Sequence, residues 1–142
     1  MELISERDND VILVGSQSGT ISYDMPNISY CCLSEYEFLL GTQPDIVLLC
    51  INPFDDINYI IRTINFIESS VDCKVQFLIM FPMDRKKDWL GNFGRLKPID
   101  KEDFNIKCKE LEAIIKRKVY LLSEEKNMEQ VVEQLIDILS EV

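Results

Sequence analysis

The stretch DIVLLCINPFDDINYIIRTINFIES, residues 45–69, changes its periodicity part-way along. Ile46 to Ile51 is an unbroken apolar run, the pattern of a strand covered on both faces in a parallel sheet. From Ile57 the apolar residues recur as Ile57, Ile60, Ile61, Ile64 and Ile67, the spacing of one helix face. Between the two patterns lies Asn52-Pro53-Phe54-Asp55-Asp56, a polar turn whose acids favour the positive end of the helix that follows. A buried strand feeding an amphipathic helix is half of a βαβ unit, so the class is α/β.

The same alternation extends in both directions. VILVG (11–15), VQFLIMF (75–81) and VYLL (119–122) are further continuous apolar runs. Helical spacing recurs in Phe104, Cys108, Leu111 and Ile115, and again in Met128, Val131, Val132, Leu135 and Leu139. A shorter helix is predicted from Leu33 to Leu40, capped by Gly41, with Gln43-Pro44-Asp45 punctuating the start of the next strand. The expected architecture is three-layer α/β/α with a mostly parallel sheet of about four strands, Rossmann-like or P-loop-like in topology. A further short strand is possible near Ile21–Tyr23. Residues 83–100 break the alternation and read as a loop excursion between strand and helix.

Length and composition fit one domain: 142 residues, 46% hydrophobic and 28% charged. Residues 1–9 read as a lead-in and 10–142 as a single domain. The abrupt start at a strand suggests the C-terminal part of a longer protein. The net charge of −10 argues against general nucleic-acid binding, which needs a basic face. Histidine is absent, which removes the commonest zinc ligand and neutral-pH base. The five cysteines show no CxxC spacing. Cys50 and Cys108 sit in apolar patterns as expected of reduced packing residues, and the predicted compartment is the cytoplasm. No apolar run approaches the ~20 residues that span a bilayer.

In open parallel sheets, ligands bind beyond the carboxyl ends of the strands. That rule selects Ser16, Gln17 and Ser18 after the first run and Asn52, Asp55 and Asp56 after the second. Asp84 follows the third run and Ser123 the fourth. The Gly15–Gly19 turn lacks the GxxxxGK[ST] pattern of a phosphate loop. Asp55 and Asp56 serve either as helix-starting acids or as part of a polar or metal-assisted ligand site. With Asp84, Glu124 and Glu125 they gather negative charge at one edge, where hard cations prefer oxygen ligands. Asp84 has the alternative of a turn or an ion pair with Arg85 or Lys86. No catalytic residue is assigned: the serines have no histidine base, and no cofactor is specified. In the excursion, Arg85, Trp89, Phe93 and Arg95 form a candidate partner-binding set, with Trp89 either packed on the domain or anchoring a partner.

Two resemblances follow from these motifs. VGSQSG, FPMD and LLSEE resemble the later half of P-loop NTPase domains. On that match, Asp84 and Ser123 stand at the base-binding aspartate and serine, while Phe81 and Pro82 replace the family's asparagine and lysine. The resemblance implies a degenerate nucleotide-binding half-domain without its phosphate loop. GSQSGTI, YEFLLGTQPDIVLLCINPFDDINYIIRTINFIES and FPMDRKKDW resemble the C-terminal part of the peptide maturation system proteins. These are accessory proteins encoded beside ribosomally made natural-product peptides in Gram-positive anaerobes. This resemblance implies an accessory or interaction domain, non-catalytic alone, with a peptide-maturation enzyme or a precursor peptide as partner. Small-molecule or metal binding is the remaining alternative.

Overall fold

The computed structural model describes residues 11–16, 20–21, 33–87 and 93–140, with the backbone alone at 84–87 and 93–96. Helix α1 (Leu33–Thr42) leads into strand β1 (Ile46–Ile51), helix α2 (Ile57–Ser70) and strand β2 (Lys74–Met80). Strands β3 (Met83–Lys87) and β4 (Phe93–Pro98) follow, then helix α3 (Lys101–Ile115), strand β5 (Lys118–Leu121) and helix α4 (Glu125–Ser140). Strands β1, β2 and β5 form a parallel sheet in the order β1-β2-β5. The α/β class and the parallel sheet are as expected from sequence.

Alternation along the strands divides the core into two layers. Ile51, Met80 and Leu121, in register across the sheet, face the layer formed with Ile60, Ile64 and Ile67 of α2 and Phe104, Cys108 and Leu111 of α3. Phe77, Ile79 and Tyr120 face the opposite way, against Val131 of α4. Phe77 and Tyr120 meet edge to face at 5.7 Å. The register shifts between Val47 and Leu48, so Val75 and Leu78 share one face although three residues apart. Helix α1 belongs to the α2 and α3 layer. Its Leu39 packs on that core, and Tyr36 stacks at 5.2 Å on Phe66 of α2.

The described parallel sheet has three strands, and VILVG (11–15) forms no ladder among the described residues. Four expectations are corrected. The excursion 83–100 contains a separate antiparallel hairpin in which Met83 pairs with Pro98 and Asp84 with Lys97. The charged run Asp84-Arg85-Lys86-Lys87 carries no alternating apolar signal, which hides the hairpin from a reading by hydrophobicity. Helix α1 runs through Gly41 to Thr42, and Gln43 adopts the left-handed turn (φ 41°) with its N–H bonded to the Leu39 carbonyl. Val132 faces solvent instead of the core. Cys50 is exposed: α4 packs over β2 and β5, with Leu48 of β1 partly covered on that face and Cys50 beyond it.

Candidate functional site at the carboxyl edge of the sheet

The turn after β1 is built around one carboxylate. Asp55 Oδ2 accepts the Asn52 backbone N–H at 2.7 Å and lies 3.4 Å from Asn52 Nδ2. The Asp55 N–H donates back to the Asn52 carbonyl at 3.1 Å, closing a four-residue turn over buried Pro53. Asn-Pro is a turn-initiating pair, so Asn52-Pro53 was the available sequence signal for this geometry. Burial pushes the Asp55 carboxyl above its ordinary 3.8, opposed by the Asn52 backbone and side-chain bonds and by Lys107. Asp56 has a separate role. Its Oδ1 accepts the N–H groups of Asn58 at 2.9 Å and Tyr59 at 3.2 Å, capping α2. The two neighbouring acids therefore diverge.

Strands β2 and β5 end at the same level as β1. The Phe81 N–H donates to the Ile51 carbonyl at 2.8 Å and the Leu122 N–H to the Met80 carbonyl at 3.0 Å. These bonds carry the sheet one step past its core. They leave Phe81 42% and Leu122 45% exposed, with Phe54 of the β1 turn 36% exposed. Sequence reasoning missed this apolar trio, because an apolar residue continuing a strand reads as core.

Ser123 is exposed, and β2 separates it from the Asn52 turn by two strand spacings, about 10 Å. Glu124 is engaged elsewhere, with a carboxylate 3.1 Å from Lys101 Nζ at the start of α3. Ser16 is exposed and lines a cleft of about 980 Å³ with Asn52, Asp55 and the length of β1. Asn52 and Asp55 are brought together by their own hydrogen bonds, Ser16 shares the cleft with them, and Ser123 stands apart. Gln17, Ser18 and Trp89 lie outside the described residues, as do the side chains of Asp84, Arg85, Phe93 and Arg95. Among the described residues, no group of three acids or cysteines is placed to hold a metal ion. No helix of the described residues is long and apolar enough to cross a membrane. Comparison with family models, characterised proteins and solved structures returns no match.

Proposed function

We propose that this chain is an accessory interaction domain in the maturation of a ribosomally made peptide natural product. It acts in the cytoplasm and does no chemistry of its own. The pathway comes from the sequence resemblance, and the surface from the carboxyl edge of the sheet. The observation that carries the proposal is the exposure of Phe81 and Leu122 at the neighbouring ends of β2 and β5, with Phe54 exposed in the turn after β1. Beside it, Asp55 and Asp56 are committed to holding their own backbone. An apolar patch on a rigid sheet end suits docking, in which a few buried anchors carry most of the affinity. The occupant is a precursor peptide with apolar residues and a basic flank, matched to the net charge of −10.

Calorimetric titration of the chain with a synthetic precursor-type peptide, apolar with a basic flank, tests this proposal. Saturable binding is expected, weakened at least about fivefold by Phe81→Ala, since an anchor truncation costs more than about 1 kcal/mol. The unfolding midpoint should change little, because Phe81 is outside the buried core. Equal affinity in wild type and Phe81→Ala would reject the edge as the docking surface.

A further inference from the structure

The outer edge of β1 has no partner strand among the described residues, and a strand-like sequence sits beside it. Val11, Ile12, Leu13 and Val14 line the same cleft as Ile46 to Ile51. They are badly placed for such apolar residues, with Val11 64% and Leu13 90% exposed. An unpaired edge presents a row of free N–H and C=O groups that another chain can pair with.

Two observations say what belongs on that edge. The first is handedness. From β1 to β2 to β5 the chain advances one way across the sheet, and both crossover helices, α2 and α3, lie on one face. Helix α1 is on that face as well, through Leu39 and the Tyr36–Phe66 contact. Crossovers between parallel strands are right-handed almost without exception. A strand feeding α1 and then β1 must therefore lie on the side of β1 away from β2. The second is chain direction. The Ile21 carbonyl accepts the Tyr59 hydroxyl at 3.4 Å, in the first turn of α2 at the carboxyl edge. Ile21 thus lies at the edge where β1 ends, as a strand at 11–15 running parallel to β1 requires.

We propose that residues 11–15 close onto the free edge of β1 as a fourth parallel strand, outside β1 in the order (11–15)-β1-β2-β5. Closure protects the edge from other chains and buries the apolar run against β1. It also brings the Gly15-Ser16 turn beside Asn52 and Asp55, so the carboxyl edge is built from four strand ends. The inference does not rest on the proposed function.

Hydrogen exchange of the dilute chain, read by mass spectrometry without any added peptide, tests it. Amides of 11–15 and the outward amides of β1 should exchange at least about tenfold more slowly than an unstructured chain, as ladder amides do. Adjacent residues of an edge strand turn their N–H groups to opposite sides, and proline has none to give. Of Ile12→Pro and Leu13→Pro, one should therefore abolish this protection and the other should reduce it far less. The β2–β5 ladder stays protected in both. Free-chain exchange rates at 11–15 in the wild type would overturn the proposal, whatever the variants do. So would protection of β1 that rises with protein concentration, which assigns the edge to a second copy. Protection that needs added peptide assigns it to a partner and overturns the proposal equally. Peptide capture is read separately by calorimetry, so either proposal can fail alone.

Discussion

Asp55 shows how one side chain can be needed for its hydrogen bonds and still be a liability for its charge. The Asn52 N–H, at 2.7 Å, requires an acceptor, while burial disfavours the ionised form. The carboxyl is therefore held above 3.8, and the folded state binds its proton more tightly than the unfolded state. That contribution is fully present below the unfolded value and is lost as pH rises through the folded one. Asp55→Asn keeps an oxygen for the Asn52 N–H and removes the charge. Its stability relative to wild type should rise as pH increases from about 3 to 7, in urea unfolding series. Asp55→Ala strands the N–H and should cost about 1–3 kcal/mol across the range. A pH-independent difference between the Asn variant and wild type would show that the charge is not under strain.

At the scale of elements, both βαβ units are closed by the same device. In α2, Glu68 Oε1 accepts the Val75 N–H at 2.9 Å, and in α3, Glu112 Oε1 accepts the Val119 N–H at 3.1 Å. The acceptor precedes the donor by seven residues in each case, and a lysine precedes each valine. Lys74 lies 3.6 Å from Glu68 and Lys118 lies 4.0 Å from Glu112. Each glutamate ties the end of a crossover helix to the start of the strand it feeds. Glu68 carries more, because Arg117 beside β5 donates to the same oxygen at 2.8 Å and couples the two units. Glu68→Ala leaves a part-buried N–H and a half-buried guanidinium without their acceptor and should cost about 1–3 kcal/mol. Glu68→Gln retains an oxygen for Val75 and should lose less. Equilibrium denaturation of the pair checks the order, and an equal loss in both would place the whole effect in the ion pair.

Across the whole molecule, legibility followed burial. The runs at 46–51, 75–81 and 119–122 could be read as strands because helices cover them, and the isoleucine spacing of α2 because it faces the core. The hairpin at 83–98 escaped because Asp84-Arg85-Lys86-Lys87 carries no alternating apolar signal. At the site, Asp56 could be read as a helix-starting acid. The exposure of Phe81 and Leu122 could not, since composition does not say where a strand outruns its covering helices.

The same uneven covering sets the reactivity of the cysteines. Among the described residues, one face of the sheet carries α1, α2 and α3, while the other carries α4 alone, packed over β2 and β5. Cys108 lies under the fuller layer. It is buried, its Sγ is bonded to the Val119 carbonyl at 3.3 Å, and burial followed by the nearby Glu112 pushes its thiol up to about 12. Cys50 lies on the other face, exposed beyond the partly covered Leu48 of β1, and burial raises its thiol as well. Thiolate is the reactive form, so Cys108 needs both exposure and a lowered pKa before it can be alkylated. Unfolding supplies both at once. In mildly alkaline iodoacetamide, read peptide by peptide, Cys50 should label in the native protein while Cys108 labels only at the rate of global opening. Titration adds a second signature. A thiol held at about 12 against 9.0 when unfolded stabilises the fold below pH 9, and that contribution falls away as pH rises from 9 towards 12. Cys108→Ala should flatten this alkaline decline. Native labelling of Cys108 as fast as Cys50 would mean that the α3 layer opens locally, independent of the rest of the core.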